Sequence, residues 1–185
     1  MKIQLITLFS STLLLSACTN YKPLTTNLNQ CTGDLSPPSQ LSNNLKSIND
    51  KKRHHKAIKE PLSGALCQGR TYQVVKRFTI YRLWNSTNNN SQLGHWWVFD
   101  KPQGLISDYR ANYGICYQWS PLDRLISCTI TEGATLIIGT GQSIKCSEYL
   151  QYPTSNYKQI YINQNTLKTK LINCTTEKAY FNWSE

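Results

Sequence analysis

Acidic residues are scarce in this chain: 10 Asp and Glu stand against 20 Lys and Arg. Histidine is scarcer, with only His54, His55 and His95. No CxxC pair exists, and no cysteines and histidines cluster, so nothing has the ligand spacing of a zinc site and no metal is expected. No GxSxG nucleophile elbow is present. Gly139-Thr140-Gly141-Gln142-Ser143 is glycine-rich, but no Lys follows its last Gly, so it is not a phosphate-cradling Walker loop and reads as a hairpin or bulge turn. No segment beyond the first 17 residues is long and apolar enough to span a membrane, which takes roughly 20 residues.

What is present begins with an address. Lys2 precedes an apolar and hydroxyl-rich run from Ile3 to Ser16, matching the charged and short apolar regions of a secretory signal. Leu15-Ser16-Ala17-Cys18 then resembles the bacterial lipobox, in which the cysteine is acylated and becomes the first mature residue. The resemblance implies a signal peptide over residues 1–17 and a lipid-anchored, palmitate-bearing Cys18. Thr19 stands where inner-membrane retention usually has Asp, which favours the outer membrane, on its periplasmic or surface face. More than one acyl chain makes such anchoring stable.

The chain has 7 cysteines, and setting Cys18 aside leaves Cys31, Cys67, Cys116, Cys128, Cys146 and Cys174. An even number in an exported chain predicts disulfides, among 15 possible connectivities that spacing does not decide. The formal charge of +10 falls to +9 without Lys2. Part of the excess is the run Lys51-Lys52-Arg53-His54-His55-Lys56, set in an Asn- and Ser-rich stretch. It reads as a solvated tether near an anionic membrane, and nothing resembles a nucleic-acid module, so no nucleic-acid partner is expected.

Residues 18–60 are rich in Asn, Ser, Thr, Pro and Lys without sustained apolar period, which predicts a lipidated polar tether, partly ordered if Cys31 is bridged. Its removal is expected to leave the melting of the body nearly unchanged. Residues 61–185 form the predicted globular domain, one core with no internal repeat. The expected class is α+β, β-rich: a single small disulfide-stapled domain after a flexible tether. Strands are predicted within Tyr72–Trp84, Trp96–Phe99, Leu125–Thr131, Ala134–Ile138, Gln159–Ile162 and Thr166–Asn173, with Gly139-Thr140-Gly141 as a break. A short helix is predicted over Ser107–Tyr113 with Ser107 as N-cap.

Arg82 is the residue that asks for chemistry. Phe78, Ile80 and Trp84 share its strand parity, and a guanidinium on an apolar face is costly unless paired or facing a cavity. An edge position, a pairing with Asp100 or Asp123, and a phosphate grip all remain open.

Ile80-Tyr81-Arg82-Leu83-Trp84, a polar loop, Gly94-His95-Trp96-Trp97, Pro102-Gln103-Gly104, Tyr109-Arg110, Trp119-Ser120-Pro121-Leu122-Asp123 and then Gly133 to Gln142 follow one another in an order that resembles bacterial toxin domains of the ADP-ribosyltransferase-like fold. These include NAD glycohydrolases of the tuberculosis-necrotizing-toxin type. The resemblance spans residues 78–146. It implies that Arg82 grips the pyrophosphate of NAD, that Trp96 or Trp97 stacks on nicotinamide, and that Gln142 bonds the ribose as the glycosidic bond breaks. NAD would then be a substrate, with no cofactor required. The Glu-x-Glu or Gln-x-Glu pair of many protein-modifying transferases is missing, and Glu148 is the only nearby late acid, which favours hydrolysis or no catalysis. The 5 Trp and 11 Tyr also suit a second class: a non-enzymatic envelope lipoprotein that binds a host-surface, glycan or protein partner, or acts in an envelope or secretion assembly. The enzyme reading needs Arg82, a Trp and Gln142 on one cleft.

Overall fold

The computed structural model describes residues 30–179; Cys18, the signal segment and residues 19–29 lie outside the described residues, as do 180–185. The strands are β1 (Leu45–Ser47), β2 (Leu66–Val74), β3 (Phe78–Trp84), β4 (Trp96–Trp97), β5 (Arg124–Ile130), β6 (Thr135–Gly141), β7 (Ile144–Lys145), β8 (Gln151–Tyr152), β9 (Ser155–Ile162) and β10 (Leu171–Lys178). Three helices accompany them: α1 (His54–Ala57), α2 (Ile106–Tyr113) and α3 (Gln164–Lys170). One sheet has the order β1-β2-β6-β9-β4, a second β10-β5-β3, and β7 and β8 form a small hairpin. The paired strands are antiparallel. This is the β-rich α+β single domain that the composition predicts.

The period of two in the sequence sorts side chains between the layers. Tyr72 and Val74 of β2, Leu136 and Ile138 of β6, and Ile160 and Ile162 of β9 meet Phe78, Ile80 and Trp84 of β3 and Ile126, Cys128 and Ile130 of β5 in one buried core. The outer face of the larger sheet is capped by Ala57 of α1 packing with Leu66, Ile137 and Tyr161. The outer face of the smaller sheet is capped by α2, through Tyr109 against Leu83, Leu122 and Leu125. Val98 joins the sheets: its N–H donates to the Tyr81 carbonyl at 2.8 Å and its carbonyl accepts from the Tyr81 N–H at 3.0 Å, directly after Trp96 and Trp97 pair with β9.

The six cysteines pair as Cys31–Cys67, Cys116–Cys146 and Cys128–Cys174, with sequence separations of 36, 30 and 46 residues. Closing loops of that size removes about 4 kcal/mol each from the freedom of the denatured chain, in the chain-entropy account.

Four expectations are corrected. The Tyr72–Trp84 stretch is two strands, because the chain crosses between sheets at Val75–Arg77. There the Asn44 carbonyl accepts from the Val75 and Lys76 N–H groups, and its side-chain amide donates to the Lys76 and Arg77 carbonyls. Gly139-Thr140-Gly141 does not break β6: a Cβ on Gly139 would overlap the Gln68 carbonyl, so glycine serves close strand approach there. The Thr166–Asn173 stretch divides into α3 and β10, because the Asn163 side chain caps α3 by accepting from the Thr166 N–H at 3.2 Å. In α2 the cap position is Leu105, and the Ser107 hydroxyl turns instead to Asp108.

The boundary at residue 61 also moves. Residues 30–60 belong to the body rather than to a tether. Leu45 enters the main core, Ala57 is fully buried, and β1 pairs with β2. Lys158 bridges Asp34 at 3.1 Å, the Tyr72 hydroxyl donates to the Leu35 carbonyl at 2.8 Å, and Cys31 is bridged. The basic run lies on this body, with His54 bonded to the Thr71 hydroxyl at 2.9 Å. Deleting residues 19–60 removes a core leucine, an edge strand and one disulfide. We expect the melting temperature to fall by about 10 °C or more, or the cooperative transition to vanish. Thermal unfolding followed by circular dichroism checks this, and an unchanged midpoint would restore the tether boundary.

Candidate functional site

The site is built around Arg82, which the alternation of β3 turns toward the interior beside Ile80 and Trp84. No carboxylate lies within ion-pair distance of it among the described residues. Its N–H groups bond backbone instead. Nε and Nη2 donate to the Ser91 carbonyl at 3.1 and 3.0 Å, and Nη1 donates to the Trp96 carbonyl at 2.8 Å. Asp123, one of the proposed partners, accepts from the Ser86 hydroxyl and from the Ser86 N–H at 3.0 Å. Burial lowers the Arg82 pKa to about 10, with the nearby Tyr109 opposing the shift, so the group remains cationic at neutral pH.

The polar loop after β3 is shaped to deliver that carbonyl. The Ser91 hydroxyl donates to the Asn88 carbonyl at 2.6 Å and accepts from the Asn85 N–H at 3.2 Å. Gly94 lies flat against the guanidinium, where any Cβ would overlap Nη2 and Cζ. The Trp97 indole donates back to the Gly94 carbonyl at 2.8 Å.

Beside Arg82 opens a cavity of about 220 Å³, with aromatic walls from Trp84, Trp96, Trp97, Tyr109, Tyr113 and Trp119. Trp119 is 55% exposed and stands where the cavity meets solvent. Arg110 holds that rim by donating to the Ser120 carbonyl at 2.7 Å and the Cys116 carbonyl at 3.3 Å. The Cys116–Cys146 disulfide and the bond from the Gln118 amide to the Cys146 carbonyl at 2.8 Å brace it from the other side.

Among the described residues, the cavity lining contains no Asp, Glu, His, Cys or Lys. Burial pushes the Tyr109 hydroxyl well above the ordinary tyrosine range, and raises Tyr113 to about 12, with the charges of Asp100 and Tyr157 adding to it. Both therefore stay protonated, and among the described residues Arg82 supplies the only charge on the walls at neutral pH.

Of the residues expected on one cleft, the structure brings together Arg82, Trp96 and Trp97, and Gln142 is elsewhere. Gln142 is 4% exposed; its amide donates to the Lys59 carbonyl at 2.9 Å, and its oxygen accepts from the Ser143 N–H at 2.8 Å. It fastens the 59–65 segment to the end of β6, because β6 runs on through Gly141 and carries Gln142 past the cavity. A different amide, Gln159 of β9, lines the cavity and donates to the Tyr113 carbonyl at 3.2 Å. The parity of Gln159 with Tyr161 was readable in the sequence, but which strand neighbours which was not. His95 is also away from the cavity; its Nδ1 lies 2.7 Å from the Ile162 carbonyl and its ring stacks on Tyr161. Among the described residues no group of His, Cys, Asp and Glu could hold a metal ion.

Gln142→Ala is expected to cost about 2 kcal/mol by leaving buried backbone groups unpaired, without moving the fluorescence of the cavity tryptophans. Gly94→Ala is expected to cost at least as much and to shift that fluorescence, because Arg82 must leave its carbonyls. Urea denaturation with tryptophan emission separates the two. No protein-family model matches the chain, and no curated protein or solved structure with which it was compared matches it either.

Proposed function

We propose that the protein is an outer-membrane lipoprotein, anchored through Cys18, whose single domain is a non-enzymatic binding module that takes a small molecule in the Arg82 cavity. The lipobox-like Leu15-Ser16-Ala17-Cys18 supports the anchor, and three disulfides suit an exported chain. One observation carries the binding reading over hydrolysis. Among the described residues, the cavity combines six aromatic side chains with a single fixed cation, and its walls offer no carboxylate, imidazole or thiol for acid–base or nucleophilic work.

Size points the same way. Sites for drug-sized ligands measure roughly 300–1,000 Å³, and this cavity, at about 220 Å³, holds one ring rather than a dinucleotide. NAD cleavage has Arg82 and the two tryptophans in its favour, but its ribose-binding Gln142 is committed to Lys59 and Ser143. The exposed Trp119 and Tyr117 leave room for a glycan or protein to present such a ring at the rim.

The full-length oxidised protein is expected to leave NAD intact while single-ring fragments give saturable chemical-shift changes in the cavity, weakened at least about tenfold in Trp119→Ala. NAD turnover abolished by Arg82→Ala in a folded variant would return the glycohydrolase reading. Palmitate labelling lost in Cys18→Ser checks the anchor.

A further inference from the structure

The guanidinium of Arg82 has five N–H donors, and three of them are engaged by the Ser91 and Trp96 carbonyls. Two remain on a group that lines the cavity and has no carboxylate partner among the described residues. Trp84, on the same wall, has a buried indole N–H with no acceptor. Unused donors therefore collect on this wall. Carbonyl dipoles satisfy part of the guanidinium, but they leave its net charge uncancelled in a desolvated place, and removing water from an unpaired ion is costly.

We propose that the cavity is a binding site for a small monocarboxylate with a planar, apolar body of one ring. This deepens the binding-module reading and rests on it. The two free N–H groups match the two oxygens of a carboxylate, whose single charge balances that of Arg82, whereas the second charge of a phosphate dianion or sulfate meets no further cation among the described lining residues. The aromatic walls from Trp96, Trp97, Tyr113 and Trp119 take the ring by stacking and edge contacts. The carboxylate supplies the missing counter-charge, and Arg82, fixed by its backbone bonds before the ligand arrives, loses little freedom on binding.

The test compares benzoate with benzamide, its neutral isostere, on the unsubstituted full-length oxidised protein, so it does not depend on any variant folding. Nitrogen-15 NMR reads the Arg82 Nε–H and the Trp119 indole. Benzoate is expected to give saturable shifts at both, with benzamide at least tenfold weaker and inorganic phosphate showing no saturation. Equal affinity for benzoate and benzamide would overturn the carboxylate assignment while leaving the ring-binding cavity standing. Phosphate saturating as tightly as benzoate would also overturn it. Saturation by neither ring would overturn this inference and the binding-module reading together.

Discussion

A guanidinium set among Phe78, Ile80 and Trp84 is tolerable only if its N–H groups find acceptors, and the way this chain provides them governs the architecture around it. Three bonds from Arg82 draw the carbonyls of Ser91 and Trp96 onto β3. Tyr81, the neighbour of Arg82, exchanges backbone bonds with Val98. The segment from Gly94 to Val98 is thus fixed to the smaller sheet on one side while Trp96 and Trp97 pair with β9 of the larger sheet on the other. The two sheets are joined at this segment, and the cavity lies beside it, walled in part by Tyr109 and Tyr113 of α2. An apolar residue at position 82 would remove the charge but also the clamp that seats the turn.

Where the sequence was legible, local periodicity was enough. Phe78, Ile80 and Trp84 face one side because a strand alternates, and Arg82 stood out because it broke that pattern. The disulfides followed from an even cysteine count in a chain with a signal-like start. What the sequence concealed was set by partners far along the chain. Gly139 looked like a punctuation mark, yet it lies inside β6 because the Gln68 backbone comes too close for any side chain. Gln142 looked like a site residue, yet its amide closes an 83-residue gap to the Lys59 carbonyl. Gln159 occupies the cavity only because β9 is the neighbour of both β6 and β4, an order that no local pattern encodes.

The polar segment from residue 30 to 60 gives the same lesson for stability. Its composition is that of a linker, and its apolar content is small. Leu45, Ala57 and Cys31 anchor it, each at a different part of the fold: the main core, the outer face of the larger sheet, and β2. Attachment at three separated points restricts a chain far more than three adjacent contacts would. The basic residues at 51–56 are consequently displayed on the body, where Arg53 also meets Asp50 at 3.8 Å. Their field acts from a fixed surface rather than from a freely moving arm.

The same economy fixes the chemical character of the cavity walls. Cleaving a bond needs groups that change protonation or form bonds as the reaction proceeds, and such groups work near the ambient pH. Here each titratable wall group keeps a constant state at neutral pH: Arg82 remains charged even though burial lowers its pKa to about 10, and burial pushes the Tyr109 and Tyr113 hydroxyls further from deprotonation. A wall with fixed charge, fixed donors and rigid rings discriminates by shape and by sign, without contributing a proton of its own. The rim obeys the same constraint, since Arg110, Gln118 and the Cys116–Cys146 bridge all immobilise the loop that carries Trp119. Rigidity of that kind lowers the entropy lost when a ligand docks, because the walls already hold the shape in which they would meet it.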